Sequence, residues 1–140
     1  MEILCPFCEV AAMQPPANVV AESPLALAIL DLHPVADGHC LVIPRRHVAT
    51  LASLRAEEGA EMFALATRLS RVVRQTLAPA VNLHLSDGSE AEQDIPHVNL
   101  HVIPRHRDDD VAIYLPPSPN PKDLESTATV LRTAMRTRSI

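Results

Sequence analysis

The stretch Ile95-Pro96-His97-Val98-Asn99-Leu100-His101-Val102-Ile103-Pro104-Arg105 decides how this chain reads. His97, Asn99 and His101 recur at every second position, with Val98, Leu100 and Val102 between them. Successive side chains of a strand point to opposite faces, so this period predicts a strand over Pro96–Ile103 with one polar and one aliphatic face. Packing alone gives no reason to place imidazole twice on the open face. Imidazole titrates near neutral pH, ligates metals and acts as a nucleophile. The strand reads as the floor of an active site with an asparagine at its centre.

Working outward, Val81–Leu85 reads as a strand closed by the turn Ser86-Asp87-Gly88. Val19–Glu22 and Leu25–Leu32 read as short strands joined at Ser23-Pro24, and His39–Pro44 as a short buried strand ended by proline. From about Leu54 to Leu77 the pattern is helical. Met62, Ala66, Leu69 and Val73 share a face with Phe63, Leu65 and Val72 beside them, and Ala78-Pro79 stops the helix. Before these elements, residues 1–18 carry Cys5-Pro6-Phe7-Cys8 and a proline-rich turn at Gln14-Pro15-Pro16. After them, Asp108-Asp109-Asp110 reads as a solvated loop in preference to a metal site. Leu115–Lys122 is proline-rich and extended; Asn120 offers an N-cap and Pro121 a first helical residue for a helix carrying Leu124, Ala128, Leu131 and Met135 on one side. The order predicts an α+β fold in one domain, 1–140, with a core over 1–110 and an appended segment and helix over 111–140.

The 140 residues suffice for one hydrophobic core. Two Phe, one Tyr and no Trp argue against an aromatic platform for single-stranded nucleic acid. A net charge of −5 argues against a broad phosphate-backbone surface, but leaves room for a pocket holding one nucleotide. No run of eighteen apolar residues and no basic-then-apolar leader is present, so neither a membrane span nor a secretory signal is expected, and the cytoplasm is. In that setting a close CxxC reads as metal-binding or redox chemistry before a structural disulfide, and the lack of a thioredoxin-like βαβ pattern around Cys5 favours metal. Cys40, among aliphatics, reads as a core residue.

The pattern H-V-N-L-H-V-I-P-R resembles the signature of the histidine triad (HIT) superfamily, in which histidines alternate with aliphatics. The likeness extends upstream to Ile29–Pro34 and Gly38–His47, and to Asn82, Ser86-Asp87-Gly88 and Ala91-Glu92-Gln93, together covering Cys5 to Arg105. The resemblance implies a HIT-like fold, an antiparallel sheet flanked by helices, commonly a homodimer. It implies a nucleotide hydrolase or transferase acting at the α-phosphate of nucleoside phosphoramidates or dinucleoside polyphosphates. In that chemistry the central histidine attacks phosphorus and water resolves the nucleotidyl-histidine. The resemblance places Asn99 at the attacking position, with His97, His101 and His39 as its catalytic company. It gives Asp31 to the ribose hydroxyls, although an Asp that initiates a turn before a proline accounts for it nearly as well. It gives Gln93, Asn82 and Ser86 to phosphate oxygens. The zinc-bearing branch further implies a closed, structural Zn²⁺ site made of Cys5, Cys8, His47 and His97. Two positions depart from the pattern: Glu92 stands where glycine is usual, and Asp94 where a small or hydroxyl residue is. Both are expected to face solvent; the alternative is a cationic or amine-bearing leaving group.

A carboxamide nitrogen has its lone pair delocalised into the carbonyl, so Asn99 cannot form the phosphoramidate intermediate. Loss of the nucleophile costs on the order of 10⁴ to 10⁶ in turnover while binding survives. Either a deliberate His→Asn replacement or a natural member without hydrolysis, acting as a nucleotide-binding sensor, accounts for the residue; intact neighbours favour the former. A metallohydrolase using these histidines as catalytic ligands fares worse, because the implied ligand set is closed.

Overall fold

The computed structural model describes residues 5–12, 18–112, 117 and 124–138. Five strands, β1 (Val19–Glu22), β2 (Ala26–Leu30), β3 (Cys40–Pro44), β4 (Ala80–His84) and β5 (Leu100–Arg105), form one antiparallel sheet in the order β1-β2-β3-β5-β4. Helix α1 (Pro6–Ala12) lies before the sheet, α2 (Ala56–Thr76) between β3 and β4, and α3 (Leu124–Thr137) after it. The expected α+β architecture, an antiparallel sheet with flanking helices, is thus the observed one.

The period of two sorts the sheet into two cores. Ala26, Ala28, Cys40, Val42, Val98 and Val102 face α2 and pack against its Met62, Leu65, Ala66 and Leu69. Leu27, Ile29, Leu41 and Ile43 face the other way and pack with Phe7 of α1. Cys40 is buried in the first cluster, as its aliphatic neighbours predict. Arg46 holds the buried Glu58 of α2 with two hydrogen bonds of 2.8 Å each, and the Arg55 amide adds a third at 2.9 Å. The guanidinium brings that carboxyl down to about 2. This contact fixes the start of α2 to the turn that presents His47.

Several boundaries differ from expectation. The motif strand begins at Leu100, not Pro96, and runs on to Arg105. Its pairing with β3 ends at Val42↔Leu100. Ahead of that point the chain turns tightly, the His97 amide reaching Ile95 O at 2.7 Å, and the Val98 amide finds Val48 O instead of a strand. Pro44 and Pro104 both lie past the β3–β5 overlap, where no amide donor is required. The aspartate run is not simply solvated: Asp109 takes two hydrogen bonds from Arg105 and caps the amides of His106 and Val111. Helix α1 was not expected. The Gln14-Pro15-Pro16 turn and the Asn120 cap lie outside the described residues, as does nearly all of the Leu115–Lys122 segment. Leu124, Leu131 and Met135 of α3 are exposed. Among the described residues no helix is long and apolar enough to cross a membrane.

Candidate functional site

The motif divides between two clusters on either side of its bend. Buried His97 points back towards α1 and the end of β3. Its Nε2 lies 2.8 Å from Pro44 O, and a carbonyl only accepts, so Nε2 carries the proton and Nδ1 the lone pair. That Nδ1 lies 3.4 Å from Cys5 Sγ and 3.6 Å from Cys8 Sγ, while His47 Nδ1 lies 3.3 Å from Cys8 Sγ. A tetrahedral ion with ordinary metal–sulfur and metal–nitrogen bonds sets sulfur and nitrogen about 3.6 Å apart. The four donors therefore stand at ligand separations, within 4.8 Å of one another. All three cysteines are free thiols. Burial pushes His97 below the ordinary histidine range, against the Pro44 bond and with help from His47, so it stays in the neutral, ligating form.

The second cluster lines a cavity of about 750 Å³. Strand register lays its floor: Ile29 pairs with Leu41, Leu41 with His101, and His101 with His84. Paired residues share a face, so one row crosses β2, β3, β5 and β4, changing from aliphatic to imidazole halfway. Three strand spacings make it about 14 Å long. Phe7 and Val10 of α1 wall the cavity as well. Phe7 also meets His97 edge-on, its ring centroid 5.7 Å away, so one short helix serves both clusters.

Beside the floor, the Asp31 amide bonds to His39 O at 2.9 Å, continuing the β2–β3 pairing to the cavity's rim. The Val35 amide donates to Nδ1 of the buried His39 at 3.2 Å, which places the His39 proton on Nε2. His39 Nε2–H then donates to His101 Nδ1 at 2.8 Å, and neutral His101 must carry its own proton on Nε2. A backbone amide thereby makes His101 a hydrogen-bond donor to the cavity. Burial lowers the pKa of both rings. At His39 the Asp31 carboxylate opposes this; at His101 the His39 and His84 rings deepen it and Asp31 again opposes. Asp31, His39 and His101 lie close enough to bracket a cation. The protonated His39 Nε2 cannot ligate one, so this trio is a proton-ordering network.

The remaining expected residues divide. Asp31 makes the turn contact, its Oδ1 accepting from the His33 amide at 2.8 Å, while its Oδ2 faces His39 and His101 at 3.5 and 3.9 Å. Asn99 and Ser86 line the cavity. Asn99 Nδ2 donates to His97 O at 3.0 Å, so a backbone carbonyl orients the carboxamide. Gln93 also lines the cavity, but its atoms are committed. Its Oε1 accepts from the Gly88 amide, and its Nε2 donates to Ala49 O and Ile95 O, so it clamps loops instead of offering donors to phosphate. Asn82 is not among the lining residues; its Oδ1 accepts from Arg105. Glu92 and Asp94 are exposed, as expected, yet line the cavity. Glu92 adopts the left-handed conformation, φ 63°, that explains glycine as the usual occupant and costs a side chain about 1 kcal/mol. The sequence reading passed over His84. Its signal was present, because Asn82, His84 and Ser86 alternate with Val81, Leu83 and Leu85 as the motif residues do.

The HIT domain family matches residues 12–108. The adenosine 5'-monophosphoramidase of Schizosaccharomyces pombe is 33% identical over 101 residues, covering 72% of this chain and 74% of that protein. The asymmetrical bis(5'-nucleosyl)-tetraphosphatase of the same yeast is 35% identical over 94 residues, 66% of this chain and 52% of that protein. Among solved structures, a zinc-bound histidine triad family protein from Mycobacterium smegmatis superposes with a TM-score of 0.73 at 33% identity, covering 96% of this chain and 94% of that one.

The depressed histidines give stability a pH dependence. His39, His97 and His101 are held neutral in the fold, so folding stability is complete above the ordinary value of 6.5 and is lost as pH falls through their lower folded values. The melting temperature is expected to drop between about pH 7.5 and pH 5.5, with a smaller drop in His39→Gln. A melting temperature flat across that window contradicts the assignment.

Proposed function

The chain belongs to the HIT domain family, and from that membership we propose that its cavity takes a nucleotide whose α-phosphate rests against Asn99 and His101. The observation that carries this reading is the floor Ile29–Leu41–His101–His84. An aliphatic half, walled by Phe7 and Val10, suits a nucleoside, and the imidazole half supplies donors where its phosphate begins. Asp31, at the rim between the halves, has a carboxylate placed to accept from ribose hydroxyls. The two yeast relatives named above are a phosphoramidase and a dinucleoside tetraphosphatase, and the reaction class proposed for this chain is cleavage of nucleoside phosphoramidates or dinucleoside polyphosphates at the α-phosphorus.

In that reaction a histidine at position 99 forms a nitrogen–phosphorus bond as the bond to the leaving group breaks. The neutral His101 donates a hydrogen bond from Nε2–H to the phosphate oxygens, and the leaving group departs as an anion or takes its proton from water. Water then cleaves the nitrogen–phosphorus bond and returns the imidazole. Asn99 keeps the orienting bond to His97 O but has no nucleophilic lone pair, so this chain binds nucleotide and scarcely turns it over. Asn99→His is expected to raise the rate of adenosine phosphoramidate or dinucleoside polyphosphate cleavage by about 10⁴ or more, measured as nucleoside monophosphate release. An unchanged rate, with nucleotide still bound, would sink the hydrolase reading in favour of a dedicated nucleotide-binding module.

We assign zinc to Cys5, Cys8, His47 and His97, a closed set suited to structure and not to catalysis. The ion supplies a fixed anchor between α1 and the motif. The cytoplasm, where thiols stay reduced, suits the three free cysteines. Elemental analysis should find about one zinc per chain, and chelation should lower both the melting temperature and nucleotide affinity, because α1 carries Phe7 and Val10. Metal-free protein with unchanged stability contradicts this.

A homodimer is the proposed assembly. Strand β4 is a sheet edge, and exposed Leu83, Phe63 and Leu51 sit beside it around an apolar cleft. Light scattering should give twice the chain mass, and Phe63→Glu with Leu83→Glu half of that; a monomeric unsubstituted chain refutes it.

A further inference from the structure

We infer that His84 and Ser86 form a subsite for the group attached beyond the α-phosphate, and that this group is a second phosphate. The inference rests on the nucleotide reading of the cavity and adds the part of the ligand that reading leaves open. His84 pairs with His101 across β4 and β5, so it lies on the cavity floor one strand spacing, about 4.8 Å, further from the aliphatic half. A ligand with its nucleoside over Ile29 and Leu41 and its α-phosphate at His101 carries its next group over His84. The two rings already stand 5.9 Å apart, centroid to centroid.

His84 Nε2 lies 3.3 Å from Ser86 Oγ, and both residues line the cavity. The pair presents a donor in either arrangement. When the hydroxyl donates to Nε2, His84 offers Nδ1–H; when Nε2–H donates to Oγ, the hydroxyl proton is free. Neutral donors of this kind suit phosphate oxygens. The fold has no other claim on this side chain, which is exposed at the end of an edge strand and belongs to neither core. Glu92 and Asp94 also line the cavity, and their carboxylates favour a cationic group instead. The two alternatives predict opposite affinities.

Calorimetric titration of the full chain with AMP and with ADP separates them. The unsubstituted chain is expected to bind ADP more tightly than AMP. His84→Ala is expected to weaken ADP about tenfold, the scale of one charge-assisted hydrogen bond, and so to reduce the ADP-to-AMP affinity ratio by the same factor; Ser86→Ala lowers the ratio in the same direction. Equal losses for both ligands in His84→Ala, or no loss for either, overturn the subsite. AMP binding tighter than ADP in the unsubstituted chain overturns it in favour of a cationic leaving group read by Glu92 and Asp94. Failure to bind either nucleotide removes the nucleotide reading itself, and the subsite with it. His84 lies outside the core, so unchanged far-ultraviolet dichroism and melting temperature certify each variant as folded.

Discussion

The hydrogen bond from His97 Nε2 to Pro44 O is the constraint on which the site depends. It is buried, so neither partner has water as an alternative, and losing it would strand a polar atom in the core. It joins the end of β3 to the bend before β5. It also decides which ring nitrogen is left for Cys5 and Cys8, and those cysteines hold α1 in place. Because α1 carries Phe7 and Val10, the Pro44 carbonyl is linked through His97 and the two cysteines to a cavity wall that it does not touch.

The same device recurs through the site. Val35 N–H sets the tautomer of His39 and, through it, of His101; His97 O orients Asn99. Each of these groups is thus referenced, directly or through one neighbour, to a backbone group whose direction the fold dictates. Such preorganisation lets donors act on a phosphate without reorienting first. It also orients Asn99, the residue proposed to stand at the attacking position. Its carboxamide has a backbone carbonyl to orient it and no nucleophilic lone pair.

Much of this was legible in the sequence. The period of two separated the aliphatic from the polar face of the motif, and the helical period found α2 to within two residues at either end. The CxxC with two distant histidines came together as the resemblance implied. What escaped has physical reasons. The bend at Ile95–His97 depends on where β3 stops pairing, a tertiary fact that overrides an unbroken alternation. The seven-residue α1 is too short to show an amphipathic period. Gln93 and Asn82 have the right chemistry for phosphate, but backbone groups claim the polar atoms of Gln93, and Asn82 turns its oxygen to Arg105 away from the cavity lining. The Val35 amide leaves no trace in any side-chain pattern. His84 was the one residue hidden in plain view, on a strand whose alternation matched that of the motif.

The central claim, that backbone partners fix the tautomers of His39 and His97 and, through His39, of His101, is tested most directly by nitrogen-15 NMR of the imidazoles in the zinc-loaded protein at neutral pH. The account predicts a proton on Nε2 of His39, His97 and His101, with the shift of a metal-bound nitrogen at His97 Nδ1. A proton on Nδ1 of His39 or His97 would contradict it.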